Sequence, residues 1–414
     1  MKNWAGNITF SAQTVHEPTS MSELNKVIGG ASSIRALGSR HSFNPIADGS
    51  SIVDTRLLPE FLELSSDRRA VTVNGSMTYG RLAELLAPLG FSVHNLASLP
   101  HISIAGAIAT GTHGSGDGNG NLATAVSALQ IMTASGEVLS LHRGDPEFDG
   151  AVVSFGAVGV VTAVTLEIQE AFQIEQWVFE GPSLSEFASN FDAIFSSAYS
   201  VSAFTHWQGR ADQIWVKHRP TDHLDTTVFE TMAPATQNRH PIQGLDAVAC
   251  TDQLGVRGLW SDRLPHFKLE FTPSAGDEIQ SEFFVARGDA KAAIEAVVAI
   301  SADLQAALLV SEIRTIAADD LWMSPHVERD SVGLHFTWRG DQALAEAGAS
   351  IIADALSTLA PRAHWGKVFN ASQFDIDGFA KREDFLSLVH RVDPDGVFRN
   401  VWFERVIEQR GVNQ

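Results

Sequence analysis

Cysteine is nearly absent: Cys250 is the only one among 414 residues. No disulfide can form within the chain, and no thiolate cluster can hold zinc or iron–sulfur. Long apolar runs are missing too. The most apolar segments, such as AKAAIEAVVAI at 290–300, are broken by charge and fall short of a membrane span. The opening MKNWAGNITF has no apolar signal core. Basic residues are scarce, 29 Lys plus Arg against 49 Asp plus Glu, for a formal charge of −20. Such a surface repels phosphate backbones and anionic lipid, so nucleic-acid and membrane roles are not expected. It argues mildly for a neutral or cationic small substrate. No internal repeat or low-complexity stretch is visible. The expectation is a cytoplasmic monomer.

What is present suits a large core, since 44% of the residues are apolar and the length suggests two or three domains. The first 170 or so residues alternate strand-like and helix-like segments. Ser20 and Glu23 have capping-box spacing and open a helix expected to end at Gly29-Gly30. Residues 34–37 and 70–73 read as strands. Leu82, Leu85, Leu86 and Leu89 share a helical face, with Gly90 where a C-terminal cap belongs. A hairpin is expected about 134–136, between apolar runs at 129–133 and 138–141, and residues 159–169 read as a closing strand. From about residue 172 the loops lengthen, as in TDHLDTTVFETMAPATQNRHP. Strands are expected at 280–285, 308–315 and 332–338, and Ile294, Val297 and Val298 give a helix its apolar stripe. The end of the chain reads as a helix and the turn-rich DPDGVFRN. Mixed elements of this kind indicate an α+β protein.

Residues 98–121, SLPHISIAGAIATGTHGSGDGNGN, carry six glycines, at 106, 111, 114, 116, 118 and 120. Small residues let backbone N–H groups approach a ligand closely, as a diphosphate requires. The run is neither a P-loop nor a G-x-G-x-x-G strand–helix unit. DGNGN has the look of a calcium loop, but its sixth and twelfth positions would be Leu122 and Ala128, so the bidentate acid is missing. A plain flexible loop remains open on these residues alone. Fifteen histidines are present, none in HExxH or comparable spacing, and no metal is expected. His41, on a tight loop after a strand, reads by itself either as a histidine bonded to loop backbone or as a cofactor ligand.

Taken together, GSRHSF at 38–43, SLPHISIAGAIATGTHGSG at 98–116 and GAVGVVTAVTLEI at 156–168 resemble the FAD-binding domain of the vanillyl-alcohol-oxidase family. Within that family they resemble the alditol oxidase (xylitol oxidase) group, as do NWAGNITF, LPHFKLEFTPS, SEIRTIAAD, HFTW and HWGKVF. The similarity spans nearly the whole chain. One departure is Arg40, where relatives commonly carry glycine before the histidine. It bears on local charge and on the ease of covalent attachment rather than on the fold.

The resemblance implies a two-part FAD-binding module, residues 1–171 with the C-terminal segment 365–414. A substrate cap domain, 172–364, would hold an antiparallel sheet with flanking helices. FAD is expected to be covalent through His41. The flavin would also be lined by Ser39, Arg40, Ser42 and Phe43, by Ser98, Ser103 and Gly106, by Thr110, Gly111, Thr112 and His113, and by Val161 and His364. The later glycines would then be scaffold around the pyrophosphate.

On the substrate side, Glu312 and Arg314 are two apart in LLVSEIRTI, as are His335 and Thr337 in GLHFTW, so each pair would share a strand face. Lys367 stands in HWGK. Internal ion pairing of Glu312 with Arg314 or Lys367 is the simpler reading of these residues. The resemblance instead implies that Ser98, Glu312, Arg314, Thr337 and Lys367 line a polyol pocket, whose hydroxyls need both donors and acceptors. The implied reaction moves a hydride from the terminal carbon to the flavin and reduces oxygen to hydrogen peroxide. Arg314 and Lys367 would stabilise the developing alkoxide. His335, oriented by Glu312, would accept the proton. The alternative within enzymes is an aldonolactone (gulono- or galactono-lactone) oxidase or dehydrogenase, which shares the FAD module. A non-catalytic flavin binder is disfavoured because so many buried polar residues are costly unless they bind something.

Overall fold

A computed structural model describes residues 1–271 and 278–409, so the end of LPHFKLEFTPS lies outside the described residues. The early elements follow from local signals. Ser20 accepts the Glu23 N–H and starts the helix Met21–Gly29, which buries Leu24 and Ile28. The Glu23 carboxylate reaches past Ser20 to accept the Thr19 N–H at 2.8 Å, so the box is shifted by one residue. The helix Tyr79–Leu86 buries Leu82 and Leu86 and passes through a short 3-10 turn to Gly90, at φ +80°. Leu89 is exposed instead, because the tighter turn rotates it off the apolar face.

Three parallel strands, Thr14–His16, Ser51–Asp54 and Arg35–Leu37, make a small sheet. Beside it stands a five-stranded antiparallel sheet. Its middle strand Val160–Glu167 pairs Ala70–Asn74 on one side and Val126–Met132 on the other. The expected hairpin is present, with Val138–His142 on Val126–Met132. The C-terminal segment packs here. Phe155 meets Trp365, Phe385 and Trp402 edge-on at 5.1–5.8 Å. After the turn at 393–400 the chain adds one more helix, Val401–Val406.

A further sheet has eight antiparallel strands. Within it Ser331–Arg339 lies between Leu308–Ile316 and Glu278–Ala286. Alternation of period two sorts its faces. Val332, Leu334, Phe336 and Trp338 join Ile279, Phe283, Val285 and Ile313 in one core with the helices Ala290–Ala299 and Gln342–Leu356. The opposite face carries Glu282, Glu312, Arg314, His335 and Thr337. Such a polar face ordinarily meets solvent, yet here all five residues are buried. The fold is α+β. No helix among the described residues is long and apolar enough to cross a membrane.

Candidate active site

A cavity of about 430 Å³ opens with the three- and five-stranded sheets on one side and the eight-stranded sheet on the other. One end is built from the loop after Arg35–Leu37. Ser39 N–H donates to Ser103 Oγ at 3.2 Å, and Ser103 N–H donates back to Ser39 Oγ at 3.0 Å. The opening NWAGN motif braces this loop: Trp4 N–H donates to Arg40 O, and Asn3 and Asn7 donate to Ser42 O and Phe43 O. From the far side, Phe43 N–H donates to Gly366 O at 2.7 Å. His41 is held at its centre, stacked on Trp4 with centroids 5.3 Å apart.

Both His41 ring nitrogens are buried without a hydrogen-bond partner. Burial, helped by His101 and Arg40 and only partly offset by the polar main chain of Ser39 nearby, pushes its pKa down to about 4. The imidazole is therefore neutral near pH 7, with a free lone pair. An unsatisfied buried nitrogen costs about 1–3 kcal/mol, so the ring suits a partner supplied by a bound group. Main-chain-rich walls flank it, since Gly38, Ser42, Gly106, Thr110 and Thr112 all line the cavity. These features fit a flavin cofactor.

Ser39, Arg40, His41, Ser42, Phe43, Ser98, Ser103, Val161, His113 and His364 also line the cavity. Gly111 does not; it faces Pro325, whose Cδ lies 2.9 Å from where a Cβ would stand. The later glycines, expected to be scaffold, do not line the cavity either. Gly116 N–H donates to Thr315 O, and Ala317 N–H donates to Asn119 O. Asn119 Nδ2 also donates to Tyr199 O at 3.1 Å. This half of the run ties its loop to the strand Leu308–Ile316 and to Tyr199, which take up its backbone groups.

The other end of the cavity is the buried polar sheet face. Strand register sets His335 opposite Glu282 on one side and Glu312 on the other. Glu282 is the hub. Arg314 Nη2 donates to its Oε1 and Lys367 Nζ to its Oε2, each at 2.6 Å, and His113 Nε2 lies 3.3 Å from Oε1. Arg314 reaches across the middle strand at Gly333, its register partner, where a Cβ would come within 3.1 Å of Glu282 Oε1. Burial alone would raise the Glu282 pKa, but Arg314 and Lys367 outweigh it and hold the carboxylate ionised. Burial lowers Lys367 to about 8 against the pull of Glu282. His335 is kept neutral by burial and by Lys367.

Glu312, Arg314, His335, Thr337 and Lys367 meet here, and Ser98 lines the same cavity. Glu312 does not orient His335 by a hydrogen bond. Its Oε1 instead lies 2.7 Å from His266 Nε2, and His335 Nδ1 has no partner. The reason is register: opposed residues on one sheet face stand side by side, whereas His266 comes in end-on from a loop. His113, Glu282 and His364 could bring ligand atoms within 4.8 Å of one another. Arg314 and Lys367 already occupy both carboxylate oxygens, which disfavours a metal there. Trp4, His266, Gln280 and Glu282 were not singled out from the sequence. Glu282 carried a usable signal, because Glu278, Gln280 and Glu282 repeat the every-second-residue spacing that marked Glu312 and Arg314.

Comparison with known proteins agrees with this geometry. A family model described as FAD binding domain matches residues 12–142, and one described as D-arabinono-1,4-lactone oxidase matches residues 277–406. Alditol oxidase from a Streptomyces species is 40% identical over 412 residues, 98% of each chain. L-Gulono-1,4-lactone dehydrogenase from Mycobacterium tuberculosis is 28% identical over 430 residues, again 98% of each. Among solved structures, cholesterol oxidase from B. sterolicum superposes with a TM-score of 0.77 over 98% of this chain and 96% of its own, at 14% identity. That last likeness is one of fold.

Proposed function

This chain belongs to the alditol oxidase family of FAD-linked oxidoreductases of the vanillyl-alcohol-oxidase type, and from that premise we propose that it oxidises the terminal hydroxyl of an alditol such as xylitol or sorbitol to the aldose. It is an oxidoreductase acting on CH–OH groups. The observation that carries the substrate class is the buried row Glu312, Arg314, Thr337 and Lys367 on the same cavity as the His41 loop. A polyol offers each hydroxyl as donor and acceptor, and this row supplies both. A site so built rejects analogues lacking a hydroxyl, since its own groups would be left unpaired.

His41 holds FAD covalently in this reading, its neutral imidazole being the nucleophilic form. FAD bound here would supply the hydride acceptor, with dioxygen as the final electron acceptor and hydrogen peroxide as the product. Ser98, Thr337 and Glu312 bind the polyol chain. Arg314 and Lys367, both anchored by Glu282, stabilise negative charge developing on the reacting oxygen without having to reorganise. His335, neutral and with a free Nδ1, receives the hydroxyl proton. The remaining lining residues of the FAD end, including Ser103, Gly106, Thr110, Thr112, Val161 and His364, hold the cofactor.

The experiment is a peroxide assay on xylitol, sorbitol and L-gulono-1,4-lactone. Faster turnover of the alditols is expected, and turnover of the lactone alone would overturn the substrate class. Acid-precipitated protein should stay yellow, and His41→Ala should release its FAD on precipitation. Colourless precipitate from the parent protein would end the covalent reading. Lys367→Ala should lower turnover on the order of 100-fold while keeping flavin attached.

A further inference from the structure

Farther along the same polar sheet face lies a buried ammonium that polyol binding does not itself require. Lys217, on the strand Gln213–His218, is 2% exposed. Its Nζ donates to Leu264 O and lies 3.3 Å from Pro265 O and 3.1 Å from His266 Nδ1. Three acceptors match the three hydrogens of an ammonium, whereas a neutral amine would turn its lone pair toward one of them. His266 Nδ1 is then an acceptor, so the ring hydrogen sits on Nε2, facing Glu312 Oε1 at 2.7 Å. Trp215 and Phe204 clamp the ring edge-on at 5.2 and 5.5 Å. The same loop also fixes Ser98, whose carbonyl accepts the N–H groups of His266 and Phe267 at 3.1 and 3.3 Å.

We propose that Lys217 and His266 are positioning residues for the substrate: the ammonium fixes the imidazole as its Nε2–H tautomer, and the imidazole holds one oxygen of Glu312 so that the other meets a substrate hydroxyl. This inference rests on the polyol reading of the cavity. Stability does not explain Lys217, because replacing a buried charge with an apolar residue of similar volume is often neutral or stabilising. Glu312 gains from it a second cation. Arg314, the first, stands 3.6 Å away with its Nη2 committed to Glu282. The charged and titratable neighbours of the pair are Glu312, Arg314 and the buried thiol of Cys250. Burial, then Lys217, pushes His266 down to about 4, so the ring stays neutral. Burial lowers Lys217 to about 7 against the pull of Glu312, so the relay is charged on the acid side of pH 7.

The test uses the holoenzyme below pH 7 with xylitol. Lys217→Met is expected to raise KM on the order of tenfold, with kcat changed about threefold or less, as loss of one charge-assisted contact would. Lys217→Arg should restore part of it. In a Glu312→Gln background the same change should add about twofold or less, since the partners act as a unit. An unchanged KM, or equal factors in both backgrounds, would overturn the proposal. Should Lys217→Met not fold, nitrogen-15 NMR of histidine-labelled parent protein decides independently. The His266 signals, assigned by their loss in His266→Gln, should report the neutral Nε2–H form, and an Nδ1–H or charged ring would overturn the relay. If the parent turns over no polyol, the substrate reading fails, while the tautomer still decides the relay.

Discussion

Arg40 sits in the left-handed region at φ +65°, which costs an ordinary residue about 1–2 kcal/mol relative to glycine. That conformation is one glycine adopts without strain, and it turns the carbonyl of Arg40 toward Trp4. Arg40→Gly loses more chain entropy on folding but sheds the strain, so a net gain of up to about 1 kcal/mol is expected in denaturant unfolding of the apoprotein. A loss of stability would mean that the guanidinium makes compensating contacts. Lys367 carries a pH prediction. Its pKa of about 8 leaves it an ammonium below that pH, while above it the neutral amine loses its ion pair with Glu282 and, in the role proposed for it, its hold on a developing alkoxide. kcat/KM should therefore fall as pH rises through about 8. Lys367→Arg, which stays charged, should move that limb to higher pH; an alkaline limb unmoved by Lys367→Arg would assign it to another group.

At the level of elements, the glycine run separates into positions that need glycine and positions that do not. Gly116 has φ +137°, and a Cβ there would stand 2.4 Å from Tyr199 O. Gly118 has nothing within 4 Å. Gly116→Ala is expected to cost about 2–3 kcal/mol in thermal or denaturant unfolding, and Gly118→Ala less than about 0.5 kcal/mol. Similar losses at both would show that the joint to Thr315 and Tyr199 does not depend on this contact. The strands themselves were legible. Ser331–Arg339 alternates so cleanly that its apolar and polar faces follow from spacing alone, and the same holds for Glu312 and Arg314. Partner choice was not legible, because period two assigns a face but says nothing of which distant strand lies alongside or in what register. Glu282 becomes the hub only once Glu278–Ala286 is set against Ser331–Arg339 with Glu282 opposite His335.

Across the whole molecule, the two ends of the chain close on each other through one buried side chain. Arg35 donates to Ile46 O at 2.7 Å and to the carbonyls of Phe155 and Phe398. Ile34 N–H donates to Val397 O at 2.7 Å, and Asn400 Nδ2 donates to Asp48 O at 2.7 Å. Arg35→Met would strand three buried carbonyls, so a loss of at least about 3 kcal/mol is expected in chemical unfolding. A much smaller loss would mean that the C-terminal segment is held mainly by the aromatic packing around Phe155. The acidic surface, −20 overall, plays no part in this closure.

The amino-acid sequence by itself determined the elements, the polar and apolar faces of the strands, and the loop that presents His41, because caps, glycines and alternation act over a few residues. Only the tertiary structure decided that Trp4 stacks on His41, that one carboxylate anchors both Arg314 and Lys367, and that Lys217 joins Glu312 through His266. Those pairings join residues tens of positions apart, where strand register and chain closure, and no local preference, choose the neighbour.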